Sequence, residues 1–134
     1  MPKSEATISE AEIVAWLERY KRAWEQRDAD LAAAIFTPGA TYREQPFETP
    51  VRGREGVRQY WLENVVENQR DIHFEHELWA VRDKLAFIHW RAHFTWLPIN
   101  GVMELDGTWR LAFEPGEDGL LCDCLEEWIV VRDG

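Results

Sequence analysis

From His73 onward the apolar residues recur at every second position, over four successive runs. No other feature restricts the fold as much, because a period of two requires extended strands that each bury one face. Turn-forming residues separate the runs at Arg82-Asp83, at Pro98-Ile99-Asn100-Gly101 and at Pro115-Gly116-Glu117-Asp118-Gly119, which predicts a meander of hairpins. Before His73 the period is helical. Helices first and an antiparallel sheet afterwards is the order of an α+β domain whose helices cover one face of the sheet.

The helical half divides into three. The first nine residues are polar and read as frayed, and Ser9 with Glu12 three positions on forms a capping box. Ile13, Trp16, Leu17, Tyr20 and Trp24 then make one apolar stripe, with Glu18, Arg19, Arg22 and Glu25 opposite it. Asp28 and Asp30 mark a break and a new cap, and Leu31, Ala34 and Ile35 continue as a short second helix ended by Pro38-Gly39. Residues 40–44 are a short strand closed by Pro46 and Pro50. A third helix is expected from Glu55 to Asn68, entered through Gly53, with Val57, Tyr60, Trp61 and Val65 inward.

A length of 134 residues suits one domain spanning 1–134, with an ordered core of about 9–131. An apolar fraction of 46% with eight Trp is far from a disordered composition despite the net charge of −10. That acidity argues against nucleic acid or an anionic membrane surface as a partner. No segment has the pattern of a signal peptide or a membrane span, so a cytoplasmic protein is expected. Cys122 and Cys124, two apart on one strand, are expected to be free thiols.

The organisation resembles the nuclear-transport-factor-like superfamily, and within it the SnoaL-like branch with polyketide cyclases and relatives of ketosteroid isomerase. The resemblance covers nearly the whole chain. It is carried by Tyr20-Lys21-Arg22-Ala23-Trp24-Glu25-Gln26-Arg27-Asp28, by Ile35-Phe36-Thr37-Pro38-Gly39-Ala40-Thr41-Tyr42, by Gly53-Arg54-Glu55-Gly56-Val57-Arg58-Gln59-Tyr60-Trp61 and by Glu126-Glu127-Trp128. It implies a cone-shaped half barrel, a curved antiparallel sheet covered by three N-terminal helices, enclosing a pocket. The reaction is left open, since such folds host isomerases, cyclases, hydrolases, dehydratases and binders.

By position in the family pattern, Tyr20 and Glu44 fall where the isomerases keep an oxyanion-stabilising tyrosine and a carboxylate base. Where those enzymes place a protonated Asp, this sequence has Trp109, whose indole can donate one hydrogen bond. Epoxide hydrolases of this fold carry a last-strand carboxylate that falls near Glu126 or Glu127 here, without a clear Asp and Arg to complete their arrangement. His76 interrupts the apolar face of Ile72, Phe74 and Leu78, either as a core histidine or as a pocket residue able to trade a proton. The catalytic candidates are therefore Tyr20, Glu44 and His76.

Trp24, Trp61, Trp90 and Trp109 fall on inward faces around one volume and offer flat walls to an aromatic or polycyclic ligand. Tyr42, Phe74, Phe113, Glu126 and Trp128 complete the candidate ligand-binding set. His89, Arg91 and His93 share the opposite face of their strand and read as a polar stripe rather than a metal site. Phosphate loops, nucleophile elbows and paired-cysteine metal motifs are absent, so no cofactor and no metal are expected. Two function classes remain: a cofactor-free isomerase, cyclase or dehydratase acting on a small apolar or aromatic molecule, and a non-catalytic ligand-binding or dimerisation domain. A homodimer through the outer sheet face, with Trp79, His89, Arg91 and His93 on it, is expected and is compatible with either.

Overall fold

The computed structural model describes residues 8–44 and 47–133. Helix α1 (Glu10–Glu25) begins at the expected capping box, with Ser9 Oγ accepting from Glu12 N at 3.1 Å and Glu12 Oε1 accepting from Ser9 N at 3.0 Å. Its stripe of Ile13, Trp16, Leu17, Tyr20, Ala23 and Trp24 is buried. Helix α2 (Ala29–Ala34) is capped by Asp28, whose Oδ1 accepts from Leu31 N at 3.0 Å. Then follow β1 (Phe36–Arg43), the two-residue β2 (Val51–Arg52) and α3 (Gly53–Trp61), which runs into one π-helical turn at Leu62–Val66. The four long strands are β3 (Gln69–Arg82), β4 (Leu85–Trp96), β5 (Gly101–Gly116) and β6 (Gly119–Asp133).

The six strands form one curved, unclosed sheet in the order β2-β1-β6-β5-β4-β3. The meander pairs antiparallel as its turns predict, and β1 adds to β6 in parallel. That parallel pair corrects two boundaries. Pro38 and Gly39 do not end a helix: α2 stops at Ala34, the strand starts at Phe36 rather than Ala40, and Pro38-Gly39 bulge outward where the register slips between Phe36–Cys122 and Thr41–Cys124. Arg54 fixes this corner, donating to the carbonyls of Ala33 and Phe36. The third helix is shorter than expected at its α-helical part, because its last turn widens into the π turn.

Residues 1–7 and Pro46 lie outside the described residues, so the frayed start and the Pro46 stop are not addressed; Ile8, within the nine residues read as frayed, is buried and donates to Asp83 O at 3.1 Å.

Helix α1 lies across the sheet and is locked to both ends of it. Trp16, fully buried, donates to Ile35 O at 2.9 Å and packs edge-on against Phe36 and Phe113. At the far end, β3 is an edge strand, and its Phe74 backbone is taken by α1: Phe74 N donates to Glu25 Oε2 at 2.9 Å and Lys21 Nζ donates to Phe74 O at 2.5 Å. The pair removes two unpaired groups from an exposed edge. Among the described residues no helix is long and apolar enough to cross a membrane.

Trp90 on β4 lies over Gly107, its register partner on β5. A Cβ at residue 107 would stand 2.8 Å from the Trp90 ring and 2.9 Å from the Trp128 carbonyl oxygen, and neither a stacked indole nor sheet backbone can give way cheaply. Gly107→Ala is expected to lower the unfolding free energy by about 1–3 kcal/mol in urea titration; an unchanged midpoint would show that the Trp90 ring is free to move.

Candidate active site

Three elements converge at one end of the aromatic core. Tyr20, on the buried stripe of α1, places its hydroxyl 3.1 Å from that of Tyr42 on β1. Alternation along β1 then carries Glu44 to the same side as Tyr42. Helix α3 contributes Tyr60, whose ring packs on Tyr42 at 5.5 Å and whose hydroxyl hydrogen-bonds the Glu44 carboxylate. From β6 comes Glu127, buried and directly opposite Trp109 of β5, whose Nε1 donates to Glu127 Oε1 at 2.7 Å.

These groups border a cavity of about 60 Å³. Tyr20, Tyr42, Glu44, Tyr60 and Glu127 form its polar side, while Trp24, Trp61, Trp90 and Leu105 form its apolar side. The π turn after α3 adds Asn64 and Val65. Such a volume holds a few waters or a small fragment, well below the few hundred Å³ usual for drug-sized ligands. Glu44 and Glu127 also border a shallow groove of about 580 Å³ along Gly107 and residues 128–131, so the two carboxyls stand where the closed cavity meets an open surface.

Charge is expensive in this setting. Burial, reinforced by the neighbouring Glu44 and opposed by the Trp109 hydrogen bond, pushes the Glu127 carboxyl up to about 8. Burial also raises Glu44, against the Tyr60 hydrogen bond that favours its ionised form. Desolvation raises the Tyr20, Tyr42 and Tyr60 hydroxyls, which stay protonated as donors. At neutral pH the site therefore holds a protonated Glu127, three tyrosine donors and Glu44 as the group best placed to carry the negative charge.

Of the residues singled out from the sequence, Tyr20, Trp24, Tyr42, Glu44, Trp61 and Trp90 line the cavity. Trp109 acts through Glu127, and Phe74 lies behind the wall, 5.6 Å from both Tyr20 and Trp109. His76 lies on the inward side of β3 but at another level, bonded to Glu18 Oε2 of α1 at 2.7 Å. Phe113 packs on Trp16 at the opposite end of the core. Glu126 points outward to Arg110, and Trp128 is exposed on the outer sheet face. The choice between Glu126 and Glu127 thus falls to Glu127 as the inward one. Tyr60 and Asn64 were not anticipated; Tyr60 was read as an inward helix residue without a polar role.

The outer face is a different surface. His89 bonds Asp106 at 2.8 Å, Arg91 bonds the same carboxylate at 3.0 Å, and Trp79 stacks on His89 at 5.0 Å. A depression of about 470 Å³ there is lined by ion-paired residues such as Arg91, Asp106, Glu104 and Arg132 and lies across the sheet from the carboxyl pair. Among the described residues no group of three or more His, Cys, Asp or Glu is arranged to hold a metal ion.

The family model for the SnoaL-like domain matches residues 17–123, from the second half of α1 through α2, α3 and β1–β5 to the start of β6. The chain belongs to the SnoaL-like domain family. Solved structures with the same fold include a hexachlorocyclohexane dehydrochlorinase, LinA type 2, at 11% identity over 92% of this chain and 87% of that one, with a TM-score of 0.78. The LinA-type3 dehydrochlorinase from Novosphingobium barchaimii aligns at 12% identity over 92% and 88%, with a TM-score of 0.76. SalBIII, an epoxide hydrolase/cyclase-like enzyme in pyran ring formation in the polyether salinomycin, aligns at 19% identity over 94% and 98%, with a TM-score of 0.77. At these identities the likeness is one of fold. No curated protein matches the chain.

The raised Glu127 carboxyl has a thermodynamic signature. Between its ordinary 4.5 and about 8 the unfolded chain releases this proton while the folded chain keeps it, so folding stability falls as pH rises through that window and levels off above it. The slope from this one group is about 1.4 kcal/mol per pH unit. Glu127→Gln is expected to remove that slope from wild-type urea-unfolding curves taken across pH 5–8; parallel curves for the two proteins would place the Glu127 pKa near that of a solvated carboxyl.

Proposed function

We propose that this SnoaL-like protein is a cofactor-independent enzyme that moves a proton on a small, mostly apolar substrate, an isomerase, cyclase or dehydratase by reaction class. The reading is carried by the pairing of two carboxyls at one cavity edge, Glu127 and Glu44: burial pushes both up, Glu127 to about 8, and on Glu44 the Tyr60 hydroxyl works against that rise. Glu44 takes a proton from a substrate carbon as general base. Glu127 gives one to the developing product, and a proton passing between the neighbouring carboxyls then restores the starting state. Tyr20, hydrogen-bonded to Tyr42, supplies a positioned donor at the same edge. His76 is left out of this mechanism, since it is bonded to Glu18 away from the cavity.

The substrate seats a small head group in the cavity while the remainder lies along the groove that shares Glu44 and Glu127. In this reading the protein works in the cytoplasm, where the free Cys122 and Cys124 thiols stay reduced. It pairs as a homodimer through the outer sheet face, where Trp79 is exposed and stacks on His89. Light scattering is expected to give twice the chain mass of 15.8 kDa, and Trp79→Asp to shift it toward the monomer; wild-type protein at the monomer mass would remove the dimer.

Proton exchange tests the chemistry without naming the natural substrate. Incubated in heavy water with a panel of cyclic ketones, enones and linear β-polyketides, the protein is expected to introduce deuterium next to a carbonyl. Glu44→Gln should lower that rate by about 10²–10⁴-fold. The wild-type rate should fall above pH 8 as Glu127 loses its proton, and at low pH as Glu44 gains one. Exchange that Glu44→Gln leaves unchanged would assign the cavity to ligand binding without catalysis.

A further inference from the structure

Five buried tryptophans meet in the core, and their indole N–H groups divide into two sets. Trp16 donates to Ile35 O at 2.9 Å, Trp24 to Gln69 Oε1 at 2.8 Å and Trp109 to Glu127 Oε1 at 2.7 Å. Trp61 and Trp90 are as deeply buried, yet neither indole nitrogen has a partner. Buried donors without acceptors are rare and costly, so two of them lining one cavity require a physical reason. Both rings form the wall of the cavity that holds Glu44 and Glu127, one from α3 and one from β4.

Most polar groups around the cavity already have a partner. Glu127 is bonded by Trp109, Glu44 by Tyr60, Gln69 by Trp24, and the Tyr20 and Tyr42 hydroxyls bond each other. On their other sides the two indoles meet rings: Trp90 packs against Trp24, Phe74 and Trp109, and Trp61 against Tyr20 and Trp24. We propose that the Trp61 and Trp90 indole N–H groups are the ligand-holding donors of the cavity, and that they select a small neutral molecule bearing a hydrogen-bond acceptor, a carbonyl oxygen above all.

Neutrality follows from the surroundings. An anionic ligand would enter an apolar site next to Glu44, with no cation among the cavity-lining residues to offset the repulsion. A carbonyl oxygen instead is neutral on entry and gathers charge only as Glu44 takes the adjacent proton. The C–H electron pair then forms the new C=C bond while the carbonyl pair moves onto oxygen, and it returns when carbon is reprotonated, so no co-reactant is consumed. Indole N–H donors fixed by packing stabilise that charge without reorganising. This step rests on the acid-base reading above; the binding of the acceptor does not.

Cyclopentanone and methylenecyclopentane, which differ by a carbonyl oxygen against a CH₂, are the probes. Each is titrated into tryptophan-labelled protein while the indole N–H resonances are followed. Those of Trp61 and Trp90 are identified by their loss in Trp61→Phe and Trp90→Phe or, where a variant does not fold, by through-space contacts to the Tyr20 ring and to Gly107. Cyclopentanone is expected to move these two resonances downfield and to leave those of Trp16, Trp24 and Trp109 in place, while the hydrocarbon moves neither. Each Trp→Phe change should weaken ketone binding by about three- to tenfold.

Resonances that stay in place with saturating ketone, or that move equally with the hydrocarbon, overturn the assignment. The two readings separate in Glu44→Gln and in the exchange assay: ketone-induced indole shifts without any exchange activity keep the donors and remove the catalysis. Exchange activity with unmoved indoles keeps the catalysis and removes the donors.

Discussion

The ring of Tyr20 is the contact on which the rest of the molecule is arranged. It touches Trp16 at 5.4 Å, Trp24 at 6.0 Å, Trp61 at 5.4 Å, Phe74 at 5.6 Å and Trp109 at 4.8 Å, rings supplied by α1, α3, β3 and β5. One side chain thus ties helical cover to sheet. Each such aromatic pair adds about 0.5–1.5 kcal/mol beyond the area it buries. The same residue then turns its hydroxyl out of the cluster to Tyr42, so a residue at the centre of the aromatic core also forms the edge of the polar site.

That position explains why a carboxyl can sit at the end of the core without an ion pair. Glu127 is inward because β6 alternates, and it is buried against Trp109, whose ring packs on Tyr20. Its one strong partner is a neutral indole, which cannot compensate a charge as a guanidinium would. The carboxyl therefore keeps its proton. Glu44, half-buried and bonded by a tyrosine hydroxyl, keeps a route to ionisation. Two glutamates of the same intrinsic acidity thus meet different surroundings, although burial raises both.

Most of the fold was legible because its signals are local. The Ser9–Glu12 box, the α1 stripe and the hairpin turns are read within a few residues and stand in the structure as read. Pro38-Gly39 misled because a helix stop and a strand bulge use the same residues, and only the parallel pairing of β1 with β6 separates them. Alternation gave each strand residue its face but not its level along the cone. His76 and Phe113 were placed on the inward side, yet one meets Glu18 and the other Trp16, each away from the cavity. The Glu44–Tyr60 and Glu127–Trp109 pairs join residues distant in sequence, and no periodicity in one chain reports them.

Tryptophan content is what made the cavity small. Four indoles expected to wall a wide ligand pocket instead fill most of it, Trp24 and Trp90 lying 5.8 Å apart and Trp90 and Trp109 5.1 Å. What is left is narrow and lined by tyrosine, indole and carboxyl groups, with room for a small fragment rather than a whole drug-sized molecule. In the proposed function, recognition of the remainder falls to the open groove along β5 and β6, where Gly107 leaves the Trp90 ring seated against the sheet and the chain beyond Glu127 presents Trp128, Ile129 and Val130. On that proposal chemistry and substrate size are set by different surfaces, with Glu44 and Glu127 at the boundary between them. Family members that replace Trp61 or Trp90 by a smaller side chain should then accept bulkier head groups and lose affinity for the acceptor together, because on the proposed assignment each of these indoles both fills the cavity and supplies a donor.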